Sequence, residues 1–144
     1  MSALCVVKVA RALGPLVRGE ALVSREGFSP RYDLDRTTGV ISKIGHSLEG
    51  HSIRDKIMVV PSAKGGVAAG WAFADIAAKG FGLKGLIFGR LNPVMVQGAV
   101  FARMTITEGW TPDALSEIQT GDLIEIDPER FEVRVLARRS TPEG

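Results

Sequence analysis

KIMVVPSAKGGVAAGWAFADIAAKG, residues 56–80, reads as strand, glycine turn and helix, and the rest of the chain is organised around that unit. Residues 57–60 are an apolar, β-branched run suited to a buried strand, and Pro61 is expected to stop it. Ser62-Ala63-Lys64-Gly65-Gly66 then turns the chain. From 67 to 78 the apolar positions Val67, Trp71, Ala74 and Ala78 recur every three to four residues, the spacing of one helix face, and Lys79-Gly80 supplies a terminal cation and glycine. A helix starting after two glycines leaves N–H groups unpaired and admits a carboxylate or phosphate; the same pair also serves as a tight turn against a sheet. The turn lacks the Walker spacing of GxxxxGK followed by Ser or Thr.

With 144 residues, 45% of them hydrophobic and 24% charged, one globular domain with a proper core is expected over residues 1–137, followed by a polar tail, 138–144. A net charge of +2, from 18 basic and 16 acidic residues, argues against a nucleic-acid surface. No run approaches the ~18–20 apolar residues of a membrane helix, and no signal-peptide pattern is seen, so the expected compartment is the cytoplasm. The single cysteine, Cys5, rules out an internal disulfide and cannot by itself hold an iron–sulfur cluster or structural zinc; it is expected to be a buried strand residue.

Further strands are expected at 6–10, 18–24, 39–43, 86–88 and 104–107, with a hairpin from 122–126 to 130–136 around Asp127-Pro128-Glu129. A short helix is expected at 94–101, opened by Asn92-Pro93, and a short helix or turn at 110–119, with Thr111 as cap. Residues 26–39 read as a long irregular loop, either one with functional potential or a solvated connector. Strands at both ends around one strand–helix–strand unit imply a mixed α/β domain whose one or two sheets share a few helices.

His46 and His51 lack partners at metal-ligand spacing and read as turn residues, so no metal site is expected. Asp33 and Asp35 read as carboxylates bonded to their own loop. Arg31 and Lys64 sit among small or turn-forming residues and suit carboxylate binding. Ser62 stands where open α/β folds place ligands, at a strand's carboxyl end, and fits either a turn-stabilising or a catalytic role.

Several segments in order resemble the small subunit, or swivel domain, of aconitase X. They are Gly19–Ser24, Gly27-Phe28-Ser29-Pro30-Arg31-Tyr32-Asp33 with Thr38-Gly39-Val40-Ile41, His46 with Leu48 and Gly50, Lys56–Pro61, and Lys64-Gly65-Gly66. The Asn92–Ala99 segment looks like the bacterial branch. The resemblance implies a single swivelling β/β/α domain with mixed, partly antiparallel sheets, closing over a larger catalytic subunit whose cysteines hold an iron–sulfur centre. It implies dehydration of a small hydroxy acid: cis-3-hydroxy-L-proline in bacterial members, phosphomevalonate in archaeal ones. In this picture Ser29, Arg31, Lys64, Gly65 and Gly66 bind substrate, Ser62 is a candidate for the catalytic base, and the chain alone binds no cofactor. One departure stands out. Many members carry Gly-Arg-Gly-Ser after the proline, with the serine as proton acceptor, whereas Gly66 occupies that place here. Either Ser62 serves instead, or the base lies on the partner, or the substrate differs. A non-catalytic, anion-binding or regulatory lid is the alternative function.

Overall fold

The computed structural model describes residues 4–24, 34–35, 37–45, 47–62, 80, 82–90, 105–109 and 118–138, with the backbone alone at 61, 62, 88–90 and 108. Ten strands fall within them: β1 (Cys5–Lys8), β2 (Arg11–Leu13), β3 (Val17–Val23), β4 (Leu34–Asp35), β5 (Val40–Ile41), β6 (Lys56–Ser62), β7 (Gly85–Arg90), β8 (Thr105–Glu108), β9 (Leu123–Asp127) and β10 (Glu132–Ala137). No helix falls among the described residues. The expected helices at 67–78 and 94–101 lie outside them, as does most of the one at 110–119, whose last two residues, Ile118 and Gln119, are not helical.

Eight strands form one sheet in the order β1-β10-β9-β3-β6-β7-β8-β2, and β4 pairs with β5 separately. The sequence expected a single strand over 6–10. Strand β1 overlaps it and ends at Lys8, and β2, which the sequence did not suggest, follows at Arg11; β1 pairs with β10 and β2 with β8, so consecutive strands occupy opposite edges of the sheet. Only Val9 and Ala10 join them. Laid flat, eight strands would separate those edges by about 34 Å, whereas the two-residue joint reaches about 10 Å. The sheet must therefore roll up until its edges meet. At the seam the Val9 amide donates to the Phe131 carbonyl at 3.0 Å, and Gly109, at positive φ, lies where a Cβ would collide with that of Ala10.

Rolling produces two facing layers. In one, β3, β6, β7 and β8 run parallel; in the other, β1, β10 and β9 alternate in direction. The core lies between them: Ala21, Ile57, Val59 and Ile87 from the parallel layer meet Val7, Ile124, Ile126, Val133 and Val135 from the antiparallel one. Each Val and Ile among them contributes about 1.5–3 kcal/mol by leaving water. Leu22, Met58, Val60 and Leu86, on the opposite face of the parallel strands, are also buried, so these strands are apolar on both faces and read as continuous runs. The antiparallel strands alternate instead. Cys5 lies in β1 as expected but is half-buried, packed at the margin of the core.

The polar positions of the antiparallel layer form a lattice of ion pairs. Arg134 donates to Glu125 at 2.7 Å, to Asp127 at 3.0 Å and to Glu132 at 3.1 Å, while Arg18 and Lys8 hold the outer oxygens of Glu125 and Glu132. Lys8 first, and then Arg134, keep the Glu132 carboxyl below its ordinary range.

Strand β6 continues through Pro61 to Ser62, against the expectation that proline would end it. The register explains why. Val59 accepts from Ser24, just past the end of β3, so residue 61, of the same parity, also presents its backbone toward the β3 side. The last β3–β6 pair is Val23 with Val59, and Pro61 lies beyond it, where no ladder bond is lost for want of an N–H. Val60 and Ser62 face β7, which continues alongside.

Candidate functional site at the carboxyl edge

Because β3, β6, β7 and β8 are parallel, their carboxyl ends, Val23, Ser62, Arg90 and Glu108, lie along one edge of the layer. Ligands of open α/β sheets bind at such an edge. Ser29 and Arg31 follow in sequence from β3, and Lys64, Gly65 and Gly66 from the adjacent β6. The topology thus starts both candidate segments from neighbouring strand ends. Ser29, Arg31, Lys64, Gly65 and Gly66 themselves lie outside the described residues, as does His46; of Ser62 the backbone is described, as the last residue of β6.

The edge is fixed by a clamp from the connector before β9. Thr120 Oγ1 accepts from the Val23 amide at 2.9 Å, and Gly121 donates to the Ala21 carbonyl at 2.9 Å. The clamp is itself held by Asp122, whose side chain is 2% exposed and accepts from the Gln119 amide at 2.8 Å and from Arg138 at 2.6 Å. Arg138, first residue of the expected polar tail, is therefore tied to the domain. Ser24, fully buried, donates its amide to Val59 at 2.8 Å. The chain enters 25–33 from a strand end with little freedom to shift.

Other candidates resolve as structural. Asp35 accepts from the Thr37 amide at 2.9 Å and the Thr37 hydroxyl at 2.6 Å, and these bonds hold its carboxyl below the ordinary range. It is bonded to its own loop, as expected. His51 is exposed and uses its backbone, accepting from Ile41 and donating to Leu48. Among the described residues no group of three or more His, Cys, Asp or Glu side chains could hold a metal. An iron–sulfur cluster takes several thiolates, and with one cysteine in the sequence, set at the margin of the core, the donor set of this chain does not fit one. No helix among the described residues is long and apolar enough to cross a membrane.

Sequence reasoning missed Thr120 and Asp122, whose roles depend on tertiary contact, and Arg90, the Cα partner of Ser62 across the β6–β7 ladder. The available signal for Arg90 was a cation closing an apolar run, at residues 85–90.

A rolled sheet with a parallel layer whose carboxyl ends share one edge, backed by an antiparallel layer, places the chain among β-rich domains of the α/β class. The profile described as the aconitase X swivel domain matches residues 6–135. The chain belongs to that family. It is 30% identical over 129 residues to the phosphomevalonate dehydratase small subunit of Thermococcus sibiricus, covering 90% of this chain and 97% of that one. It is 30% identical over 122 residues to the subunit of the same name from Pyrococcus horikoshii, covering 85% and 89%. Its structure superimposes on the crystal structure of Thermococcus kodakaraensis aconitase X, holo-form, with a TM-score of 0.83 and 26% identity, covering 92% of this chain and 98% of that one.

Proposed function

We propose that the chain is the small, swivelling subunit of a two-subunit hydro-lyase of the aconitase X type, a cytoplasmic enzyme that removes water from a small hydroxy acid. Residues 1–137 form the swivel domain, and the iron–sulfur centre belongs to the larger subunit. Family membership over 6–135 carries the reading. The shared edge that launches the segments bearing Ser29, Arg31 and Lys64–Gly66 supports the assignment of the site.

In this reading the N–H groups of the Lys64–Gly66 turn and the Lys64 ammonium bind the substrate carboxylate. Arg31 offers two parallel bonds to it, and Ser29 orients it. Ser62, as its alkoxide, takes the proton from the carbon beside the departing hydroxyl; the C–H pair becomes the new double bond, and the hydroxyl leaves with the C–O pair, taking a proton from an acid of the larger subunit to depart as water. Gly66, without a side chain, leaves the turn open to the carboxylate.

Two substrates are supported by different observations. The Asn92–Ala99 segment favours cis-3-hydroxy-L-proline, and the names of the relatives favour phosphomevalonate. Dehydration of each is to be assayed with the chain alone, the large subunit alone, and the two combined. Turnover of one substrate only by the combination is expected; turnover by this chain alone, or of neither substrate by the pair, overturns the proposal. Within an active pair, Ser62→Ala should lower kcat by about 10²-fold or more if Ser62 is the base. Full activity would move the base to the partner and leave this chain as a carboxylate-binding lid.

A further inference from the structure

We infer that Arg90, which closes β7 in register with Ser62 at the end of β6, is a substrate-anchoring residue for the carboxylate of the hydroxy acid. The inference rests on the functional reading above and adds a residue to its site.

The register carries it. Met58 pairs with Leu86, Val60 with Phe88 and Ser62 with Arg90, so these positions share one face of the parallel layer. That face is opposite the one placing Ile57, Val59 and Ile87 in the core. Neighbouring strands are about 4.8 Å apart, which sets the backbone of Arg90 directly alongside that of Ser62. Both residues are the last of their strands, at the edge where parallel sheets receive ligands. Strand β3 has already ended its pairing with β6 at Val23–Val59, so β6 and β7 run on past it as a pair, carrying Ser62 and Arg90 beyond the β3 ladder. A planar guanidinium is suited to two parallel bonds with a carboxylate, and a fixed cation there would hold the substrate close to Ser62.

A purely structural role is the competing explanation, with Glu108 as counter-ion: Glu108 is in register with Phe88, two residues before Arg90, and so shares its face. The two roles separate in kinetics. In the reconstituted pair, Arg90→Ala should raise KM by about 10- to 100-fold, the range for losing charge-assisted hydrogen bonds, with kcat changed far less. Added guanidinium ion should restore part of the affinity, and Arg90→Lys should fall between, since a lysine offers a point charge without the fork. A KM unchanged in Arg90→Ala, or a loss of thermal stability that Glu108→Gln reproduces without any change in KM, overturns the assignment while leaving the dehydratase reading intact. A wild-type pair inactive on both hydroxy acids overturns the two together.

Discussion

Thr105 and Thr107 lie two residues apart on the same face of β8, yet their replacement by valine should act in opposite directions. Thr107 is 1% exposed, in register with Ile87 on β7 and Ala12 on β2, and its Oγ1 is buried with no hydrogen-bond partner among the described residues. A buried hydroxyl left unpaired costs about 1–3 kcal/mol, and valine has nearly the same shape. Thr107→Val should therefore stabilise by about 1–2 kcal/mol, which for a chain of this length raises Tm by roughly 3–6 °C. Thr105 is fully buried and its hydroxyl donates to the Pro15 carbonyl at 2.6 Å, tying β8 to the turn before β3. Thr105→Val strands that carbonyl and should destabilise by about 1–3 kcal/mol. Scanning calorimetry on both variants and the double variant measures the signs directly. A Thr107→Val protein with unchanged or lower Tm would refute the reasoning, showing that the hydroxyl finds a partner such as an ordered water in the core.

Stability should fall in acid as Glu132 of the ion-pair lattice and Asp35 of the Thr37 loop take up protons. Glu132 is held below its ordinary value of 4.5 and Asp35 below 3.8, so their contributions are complete above those values and vanish as pH falls through the lower folded ones. Lys8→Met, removing the leading cause for Glu132, should flatten the acid limb of urea midpoints followed by circular dichroism; an unaltered limb would contradict this. Gly109→Ala adds a methyl against Ala10 at a positive φ, and should cost about 2 kcal/mol or more from strain and overpacking at the seam. Gly45→Ala, at a positive φ in open space, should cost only the backbone share, and equal losses in the two would argue against a tight seam.

Much of the parallel layer was legible in the sequence, because strands buried on both faces leave continuous apolar runs such as 57–60 and 86–88. The β9–β10 hairpin was legible from alternation around Asp127-Pro128-Glu129. Strand β2, Arg11–Leu13, was not, since nothing local at Val9-Ala10 records that the chain leaves one sheet edge there and joins the opposite one. Pro61 misled because its effect depends on where β3 ends. The pair Leu34-Asp35 was hidden in an irregular connector, being too short to show a period. At the site, Ser62 and the glycine turn could be nominated from chain position alone, whereas Arg90 required the register of β6 on β7, and the Asp122–Arg138 clamp required contacts across 16 residues. The lattice around Arg134 was invisible for the same reason: its charges are neighbours across strands, not along the chain.

The central claim is that the carboxyl edge of the parallel layer faces a larger catalytic subunit, and hydrogen exchange of this chain with and without that subunit tests it most directly. Protection should concentrate in peptides covering residues 24–33 and 60–70, the segments leaving β3 and β6. The outer face of β9 and β10, satisfied by its own ion pairs, should exchange unchanged. Protection centred on the β9–β10 hairpin, or no change at a partner concentration of tens of micromolar, would contradict the account.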